Sequence, residues 1–549
     1  MKIDLATASP TAIDTDIAVI GAGAAGITMA RCLVAARRRV VLIESGGLDY
    51  EQHTAAFNAG TSVGEQYYGL EHARLRFFGG TTAIWGGRCA ALRPIDFEER
   101  PWVPHSGWPI TALELAPWYA EARKSLEVDA EPAPGKLNSI DLDELEVGHW
   151  AFDRRFDRFG YAACRELIDD PRLTLLLHAT VREIVAAPNG RQVEQLDVRG
   201  PGGKRVRVNA QTYVLACGGL ENPRILLASN SVQPDGLGNA RDLVGRFFME
   251  HPHARGGRVV DASTWQLLSA FRRRRQDGVE TAPVLTASPQ LQRREGLLNS
   301  GVSLAARPPE GGSHSTIKRG YLQARHKMDP TRTGRTLWMG YRRAGRAVKQ
   351  VTGAVSPWMK IRLGKMDLAI VIRAEQSPNP DSRVMLDRET DAIGMRRIRL
   401  DWRLQQLDLD SANGLVDAFG RGLTKSGLGN LEKASWLRNG PERWVNDPLV
   451  SIHPIGGYHH MGTTRMADDP ARGVTDRWGR VHGLSNLYIA GSSLFPTSGW
   501  ANPTLTIIAL ALRSCQKILE PQWTFSPYVA AGRAVAEADP QAGDLMRMS

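Results

Sequence analysis

Six residues between two apolar runs have the glycine spacing with which a backbone can hold a pyrophosphate. They read Gly21-Ala22-Gly23-Ala24-Ala25-Gly26, and the acidic residue Glu44 follows 23 residues after Gly21. In such a motif Gly21 permits a tight turn, Gly23 lets the backbone approach the pyrophosphate, and Gly26 lets a helix pack closely on a strand. A carboxylate at Glu44 can accept hydrogen bonds from both hydroxyls of an adenosine ribose. The pattern predicts a dinucleotide site.

The flanking segments predict the elements that would position these residues. Ile17-Ala18-Val19-Ile20 and Val40-Val41-Leu42-Ile43 are short apolar runs, typical of parallel strands buried on both faces. A helix predicted from about Ala24 to Ala36 would direct its free N–H groups and its positive dipole end at the pyrophosphate. A glycine turn that serves packing alone would not need all of these elements in register.

A second glycine-rich loop surrounds a tryptophan. It reads Arg76-Phe77-Phe78-Gly79-Gly80-Thr81-Thr82-Ala83-Ile84-Trp85-Gly86-Gly87. Two glycine pairs make poor helix and poor strand, and such a loop can lie flat against a planar molecule. A plain surface loop is the alternative, although it would not need Trp85 or the two phenylalanines.

Length and composition limit the possible classes of protein. A chain of 549 residues indicates two domains or an interleaved pair, and 42% apolar with 23% charged residues is ordinary for a globular enzyme. The formal net charge is +11, but no basic run is interleaved with aromatic residues that could stack on bases. No nucleic-acid partner is therefore predicted.

The five cysteines are scattered, and none is part of a C-x-x-C pair; they are Cys32, Cys89, Cys164, Cys217 and Cys515. This pattern predicts reduced thiols in a cytoplasmic protein and no zinc, iron–sulfur or other metal site. Residues 1–14 contain acids and no apolar core, so neither a signal peptide nor a membrane anchor is expected there.

Periodicity predicts further elements. Val193 to Val198 and Lys204 to Val208 indicate a β-hairpin, and Tyr213 to Ala216 indicates another buried strand. Pro117 is expected in the first turn of a helix, and Asn222-Pro223 is expected to precede a helix that begins at Arg224. Alternating strands between residues 252 and 450 predict a second, mostly antiparallel sheet.

Residues 318–365 are strongly basic and contain an amphipathic stretch from Trp338 to Met359. We expect this face to be solvated, and contact with a membrane or a protein partner is the less favoured interpretation. Residues 521–549 are rich in proline, alanine and glycine and are predicted to form a mobile tail.

The segment from Ser451 to Ile508 carries the remaining motifs. It contains His453-Pro454-Ile455-Gly456-Gly457-Tyr458-His459-His460-Met461-Gly462, then Asn486 to Ser493, then Trp500-Ala501-Asn502-Pro503-Thr504. Leu487 to Ala490 is predicted to be a last core strand, with Gly491-Ser492 at its carboxyl end, where open α/β sheets bind ligands. Asn502-Pro503 is expected to begin a helix from Thr504 to Ile518 whose N-terminus can stabilise negative charge.

Together with Gly218-Gly219-Leu220-Glu221-Asn222-Pro223, these motifs resemble the glucose–methanol–choline (GMC) family of FAD oxidoreductases. The chain looks most similar to the branch with pyranose oxidase and bacterial glycoside oxidoreductases, because its final pair is His with Asn. The resemblance implies an α/β fold, in which a Rossmann-like, glutathione-reductase-like FAD-binding domain is interleaved with a mostly antiparallel-sheet substrate domain.

The expected boundaries follow from the order of the motifs. Residues 1–92, 166–250 and 451–520 are assigned to the FAD-binding domain, the last also carrying the catalytic residues. Residues 93–165 and 251–450 are assigned to the substrate domain, and residues 521–549 to the tail.

The resemblance also implies the site residues. His459 and Asn502 are the expected catalytic pair, 43 residues apart. The residues expected to bind non-covalent FAD are Gly21, Gly23, Gly26, Glu44, Gly80, Thr81, Trp85, Gly86, Gly87, Val181, Gly491, Ser492, Asn502, Pro503 and Thr504. A covalent link through a histidine of the second glycine loop, as in pyranose oxidases, is excluded because Ile84 stands there.

The catalytic histidine must be chosen among three. His459 precedes Gly462 by three residues, as the family pattern requires, whereas His453 fits a cholesterol-oxidase-like variant at a longer distance from Asn502. Neighbouring residues in an extended segment face opposite ways, so His459 and His460 cannot both point at one substrate. We choose His459, with His460 and His453 as alternatives.

The implied chemistry is alcohol oxidation. Neutral His459 would take the hydroxyl proton as a hydride leaves the alcohol carbon for flavin N5, and Asn502 would orient the substrate oxygen. The expected substrate is a secondary hydroxyl of a sugar or glycoside, because Trp85, Trp102 and Trp108, with Trp500, lie in or beside the proposed site segments. The alternative is that these rings pack the flavin loop and contact no substrate. Dioxygen, a quinone or a redox protein would accept the electrons.

Other classes of function stay open. A dehydrogenase of a non-sugar alcohol or sterol would share these motifs. A lyase could keep a flavin without net redox chemistry, and a flavin-holding subunit could use the basic segment to bind a partner. Gln376 and Asn379, at a predicted strand end, are equally compatible with sugar contacts and with turn formation.

Overall fold

A computed structural model of the chain describes residues 1–128, 137, 142–155, 157–276, 278–311, 329–451, 453 and 455–520. Two large sheets dominate this part of the chain, and a smaller sheet and the helices pack around them. The predicted tail, residues 521–549, lies outside the described residues.

The first sheet has a parallel centre and an antiparallel edge. Its strands, in spatial order, are Lys2–Asp4, Leu173–Leu177, Val40–Ile43, Ala12–Ile20, Arg205–Leu215, Val193–Arg199 and Thr180–Ala186, and Leu487–Ile489 also pairs with Arg205–Leu215. The strand Val193–Arg199 pairs antiparallel with both of its neighbours, Arg205–Leu215 and Thr180–Ala186, and the remaining pairs run parallel. The predicted strands and the predicted hairpin at residues 193–208 are all present.

The second sheet is antiparallel throughout the described residues. Its strands, in order, are Asn430–Lys433, His253–Val260, Asp367–Arg373, Gly301–Arg307, Val279–Ala287, Leu145–Phe152 and Arg88–Cys89, with Arg274–Gln276 beside Val279–Ala287. A smaller sheet consists of Arg383–Thr390, Arg396–Trp402 and Gly60–Gly64. The alternating strands between residues 252 and 450 predict such a second, mostly antiparallel sheet.

The helices cover both large sheets. They are Ala24–Ala35, Gln52–Ala55, Leu70–Ala73, Pro94–Phe97, Ala112–Ser125, Arg165–Ile168, Gly218–Ala228, Thr264–Ala270, Pro289–Glu295, Arg332–Thr352, Val355–Arg362, Gln406–Lys425 and Thr504–Leu519. Short 3₁₀ turns occur at Ala56–Asn58, Gly80–Ile84, Ala162–Cys164, Pro201–Gly203, Ser435–Leu437 and Ser492–Leu494. The last helix packs against both Ala24–Ala35 and Ala112–Ser125, which places its N-terminus beside the first glycine turn.

Two predicted helix starts are wrong. The helix with Pro117 begins at Ala112, because Thr111 and Glu114 form a capping box that satisfies the free N–H groups there. Pro117 therefore lies inside the helix. The helix predicted from Arg224 begins at Gly218, and Asn222 lies within it and accepts a hydrogen bond from the Cys217 N–H.

Two further segments differ from their predictions. The amphipathic stretch is two helices, because Gly353 has a positive φ of 53°, which ends the first of them. The segment Gly80–Ile84 of the second glycine loop forms a 3₁₀ turn. The long helix Gln406–Lys425 was not predicted at all.

The described cysteines are all free, as predicted. No helix in the described part of the chain combines the length and the apolar character that a membrane crossing would require. The predicted face at 318–365 lies partly outside the described residues, and Leu337 and Tyr341 on its first helix are exposed.

Candidate active site

A cavity of about 410 Å³ runs from the first glycine turn to the antiparallel sheet. Its wall contains the following residues of the predicted site: Gly21, Gly23, Glu44, Gly80, Thr81, Trp85, Gly86, Val181, His459, Gly491, Ser492, Asn502, Pro503 and Thr504. These residues come from distant parts of the sequence. The fold therefore brings together nearly all of the predicted positions.

Gly26 and Gly87 are the predicted residues that do not line this cavity. A Cβ atom at Gly26 would lie 1.8 Å from the carbonyl oxygen of Gly21, so glycine is required there for close packing of helix on turn. Gly87 has a φ of 70°, and a Cβ atom there would lie 2.3 Å from the carbonyl oxygen of Asp153. Gly87 thus packs against backbone outside the cavity, and its contact with the cofactor stays a prediction.

The first glycine turn leaves room on its cavity side. Gly21 has a φ of 102°, which favours glycine, and it ends the strand Ala12–Ile20. A Cβ atom at Gly23 would have no neighbour within 4 Å, so a side chain there would extend into open space. Gly23 is also the N-cap of the helix Ala24–Ala35, whose first N–H groups face the same region.

Glu44 lies in the cavity wall near the first glycine turn. Its carboxylate accepts hydrogen bonds from the backbone N–H groups of Ala22, at 3.1 Å, and Gly46, at 2.9 Å. Burial raises the pKa of this carboxyl group, and the two N–H donors oppose the shift. The carboxylate is thus held at the end of its strand, in the cavity wall.

His459 lies at the opposite end of the cavity, and Glu250 holds its backbone. The Glu250 carboxylate accepts hydrogen bonds from the N–H groups of Gly457, His459 and His251, at 2.9 to 3.1 Å. The Tyr67 hydroxyl donates a fourth, at 2.7 Å. One buried side chain therefore fixes the turn that carries the candidate base.

A second histidine fixes the ring of His459. His251 Nε2 lies 3.4 Å from the carbonyl oxygen of Ser498, which can only accept, so Nε2 carries the proton. His251 Nδ1 therefore accepts a hydrogen bond from the N–H at His459 Nδ1, and the two nitrogens are 2.9 Å apart. The lone pair of His459 is thereby placed on Nε2, which accepts a hydrogen bond from Asn502 Nδ2 at 3.2 Å.

Both histidines of this pair are neutral at pH 7. Burial lowers the pKa of His251 to about 4. Burial, reinforced by the neighbouring histidines, lowers the pKa of His459 well below its usual value of 6.5. A neutral imidazole with its lone pair on Nε2 can take a proton from a hydroxyl group beside Asn502.

The alternative histidines have other environments. His460 Nε2 donates to the Tyr67 hydroxyl at 2.9 Å, and its ring packs against Phe248. The His453 ring lies against Tyr458. His459 is the candidate whose ring nitrogen meets Asn502, so the geometry favours the choice made from spacing.

Sequence reasoning missed Glu250 and His251. Both residues lie in the turn before the strand His253–Val260. His251 is 208 residues away from His459 in the sequence, and no spacing rule connects the two histidines. The available signal was an acidic residue and two histidines around one proline, Glu250-His251-Pro252-His253.

Other predicted contacts divide into two groups. Trp85 and Trp500 line the cavity, whereas Trp102 donates to the carbonyl oxygen of Leu297 and Trp108 to the hydroxyl of Thr497. Trp102 and Trp108 therefore serve packing. Gln376 and Asn379 lie away from the cavity: Gln376 accepts from the Glu250 N–H and the Trp402 indole, and Asn379 accepts from the Asp381 N–H in a turn.

The residues around the cavity fit the predicted FAD. Space is open beside Gly23, the Glu44 carboxylate lies where a ribose would be recognised, and the N-termini of Ala24–Ala35 and Thr504–Leu519 both border the cavity. Ile84, whose side chain can form no covalent link to a flavin, also lines it.

Two family models match segments of this chain. A family model described as GMC oxidoreductase matches residues 378–511, and one described as FAD dependent oxidoreductase matches residues 16–235. The two matches contain the first glycine turn and the His459–Asn502 pair.

Curated relatives match along nearly the whole chain. The 2-methyl-1,2-propanediol dehydrogenase of Mycolicibacterium austroafricanum is 25% identical over 92% of this chain and 95% of its own length. Paromamine 6'-oxidase of Streptomyces fradiae is 27% identical over 92% of this chain and 91% of its own. Both names describe enzymes that oxidise alcohol groups.

A solved structure supports the fold. Pyridoxine 4-oxidase from Mesorbium loti superposes with a TM-score of 0.53 at 17% identity, covering 92% of this chain and 99% of that one. The predicted fold class, an FAD-binding Rossmann-like domain with a second, sheet-based domain, is confirmed.

Proposed function

We infer that the chain is a member of the glucose–methanol–choline (GMC) family and an FAD-dependent oxidoreductase acting on CH–OH groups, and we propose that it oxidises a secondary hydroxyl of a sugar or glycoside to a ketone. In this proposal His459 is the catalytic base and Asn502 orients the substrate. The FAD is held without a covalent bond, since Ile84 replaces the histidine that would link it.

The observation that carries this proposal is the hydrogen-bonded series Ser498, His251, His459, Asn502. It presents one basic nitrogen and one amide to the same place in the cavity. His459 Nε2 accepts the hydroxyl proton, while the Asn502 amide donates to the substrate oxygen and holds it in place. Bound FAD would supply the two-electron acceptor for the hydride that leaves the same carbon.

The remaining residues keep this arrangement in place. Glu250 holds the backbone of His459, and His251 keeps the proton on Nδ1, so the lone pair stays on Nε2. The N-terminus of Thr504–Leu519 lies at the cavity wall and would stabilise negative charge that accumulates there.

Two observations favour a sugar over a smaller alcohol. Trp85 and Trp500 line the cavity, and flat indole rings stack well on sugar faces. One of the two relatives described above is named for paromamine, an aminoglycoside. The other is named for a branched diol, which makes a non-sugar alcohol the main competitor.

A substrate screen under anaerobic conditions tests the proposal. Holoenzyme is mixed with methyl glycosides, monosaccharides, 2-methyl-1,2-propanediol and a sterol, and bleaching of the flavin absorbance is recorded. We expect bleaching by at least one glycoside or monosaccharide, with a ketone as the product. Bleaching by the diol or the sterol alone would contradict the sugar assignment and leave the family unaffected. A later screen with dioxygen, quinones and redox dyes would identify the electron acceptor.

A further inference from the structure

Two arginines of the antiparallel sheet line the substrate side of the cavity without an acidic partner. They are Arg307 and Arg373, at opposite ends of the paired antiparallel strands Gly301–Arg307 and Asp367–Arg373, and the charge of Arg307 still acts on Arg373. Among the described residues, no carboxylate lies within 4.0 Å of either half-buried guanidinium group, whereas most of the fully buried arginines are paired.

Arg373 has the more unusual environment. Its Nη1 donates to the Ser303 hydroxyl at 3.0 Å, and its guanidinium lies 5.0 Å from the centre of the Trp150 ring. Burial, together with the positive charges of Arg307 and Arg273, lowers the pKa of Arg373 to about 10. No acidic group opposes that shift.

Arg307 is only slightly better compensated. It donates to the backbone carbonyl oxygens of Val450 and Ala306. Asp447, the acidic residue whose charge acts on Arg307, is already bound to Arg255. Burial lowers the pKa of Arg307 as well.

The register of the sheet places Arg373 beside the proposed reaction centre. It lies directly opposite Gly301 and His253 on the two adjacent strands, and directly opposed residues point to the same face. A Cβ atom at Gly301 would lie 3.6 Å from the Cβ atom of Trp500, so Trp500 covers this part of the face. Trp500 precedes Asn502 by two residues and packs on Trp150.

The acids in the cavity wall cannot balance these charges. Glu44 lies at the adenosine end, and Glu221 is bound to Arg74 and Arg76. The pyrophosphate of FAD would lie at the first glycine turn, on the other sheet. Along the described wall, the substrate side thus carries positive charge without an anion.

A half-buried cation without an acidic partner has lost part of its hydration, and an anion bound in the cavity would compensate that loss. We propose that Arg307 and Arg373 bind an anionic substituent of the substrate, a carboxylate or a phosphate. This inference rests on the proposed function and narrows it: the hydroxyl that is oxidised belongs to an acidic sugar. An amino sugar, which is cationic at neutral pH, would be repelled from the same place.

The test compares sugars that differ in charge. Holoenzyme is assayed with methyl glucuronide, glucose 6-phosphate, methyl glucoside and glucosamine for kcat/KM, and equilibrium binding to the oxidised holoenzyme is measured by calorimetry. At least one of the two anionic sugars should bind and react at least tenfold better than methyl glucoside, and glucosamine should bind most weakly. Comparison of methyl glucuronide with glucose 6-phosphate shows whether the site prefers a carboxylate or a phosphate.

Variants at Arg373 assign the effect to this residue. Arg373→Met should weaken binding of the preferred anionic sugar about ten- to a hundredfold, as for loss of a charge-assisted hydrogen bond, and should leave methyl glucoside unchanged. The affinity of Arg373→Lys for the anionic sugar should lie between those of the native protein and Arg373→Met, because lysine keeps the positive charge but lacks the planar guanidinium group. Arg273→Met is the matched control, since Arg273 is paired with Glu280. This variant should bind the anionic sugar and methyl glucoside as the native protein does.

Folding provides an independent measurement. Because Arg373 has no acidic partner, replacing it by methionine should leave the Tm unchanged or raise it. We therefore expect Arg373→Met to be folded and its Tm to be at least that of the native protein. The inference would be overturned if Arg373→Met lost equal affinity for neutral and anionic sugars. It would also be overturned if the native protein bound both kinds of sugar equally well. Neither result would affect the proposed function. If non-sugar alcohols alone bleach the flavin, the proposed function fails, and the calorimetric preference for anions still decides whether the two arginines form an anion site.

Discussion

The Nδ1 atoms of His251 and His459 lie 2.9 Å apart, and one of them must donate to the other. Because the Ser498 carbonyl determines that His251 is the acceptor, His459 presents its lone pair at Nε2, toward Asn502. A residue distant in the sequence therefore determines which nitrogen of the candidate base can take a proton. His251 is a positioning residue in this account, since it acts through His459.

Replacing His251 tests this relationship. His251→Ala should keep FAD bound and slow flavin reduction by substrate about ten- to a hundredfold, because His459 loses the acceptor that fixes its tautomer. His251→Asn should recover part of the rate, since an asparagine oxygen can accept from His459 while its amide donates to Ser498. Stopped-flow spectroscopy measures both. Equal rates in the alanine and asparagine variants would indicate that packing alone matters.

The pH dependence follows from the lowered pKa of His459. The base works when neutral, and a depressed pKa keeps it neutral down to acidic pH, so activity is lost only as the pH falls through that low value. Flavin reduction should therefore be nearly constant between about pH 8 and about pH 6. An acid limb centred near 6.5, the ordinary histidine value, would contradict the burial of this ring.

The same burial links pH to stability. The unfolded protein binds protons on His251 and His459 at higher pH than the folded protein does. The stability that depends on their neutral state is complete above about pH 6.5 and is lost as the pH falls toward the folded values, so rates should be compared at pH values where the Tm is unchanged.

Gly23 tests the position of the cofactor. Gly23→Val should fill the open space on the cavity side of the turn, prevent FAD from binding and lower the Tm by the loss of ligand stabilisation. Absorbance of the purified protein and thermal unfolding with and without added FAD measure this. Gly340→Ala, also at a position with no neighbour within 4 Å but in the helix Arg332–Thr352, is the control and should keep its flavin. A fully yellow Gly23→Val protein would place the pyrophosphate elsewhere.

Asn502 should matter less than His459. Asn502→Ala removes one orienting hydrogen bond, worth about 1.5–3 kcal/mol, so flavin reduction should slow about ten- to a hundredfold with little change in FAD binding. Asn502→Asp is informative beside it, because a carboxylate cannot donate to the substrate oxygen. An Asn502→Ala enzyme of native rate would remove this residue from the proposed site.

Local features of the fold were readable from the sequence, and distant ones were not. The turn at Gly21–Gly26 and Glu44 occupy one contiguous strand–helix–strand unit, so periodicity and glycine spacing sufficed. The contact of His251 with His459 depends on how the strand His253–Val260 meets the loop at residue 459, which no local pattern encodes.

Errors in the predicted elements have a similar origin. The helix at Ala112 starts early because a capping box outweighs the usual place of Pro117 in a first turn. Gly87 is predicted to contact the cofactor because it lies in a glycine-rich loop, and its positive φ also permits close packing on Asp153. Glycine content alone does not distinguish the two uses.

The central claim is that His459 takes the substrate proton during alcohol oxidation, and one pair of variants tests it most directly. His459→Ala and His460→Ala are purified with FAD bound and mixed anaerobically with the best substrate of the screen, and bleaching of the flavin is followed. The account predicts a loss of about two to four orders of magnitude in His459→Ala and a near-native rate in His460→Ala. A large loss in His460→Ala with a native rate in His459→Ala would contradict it.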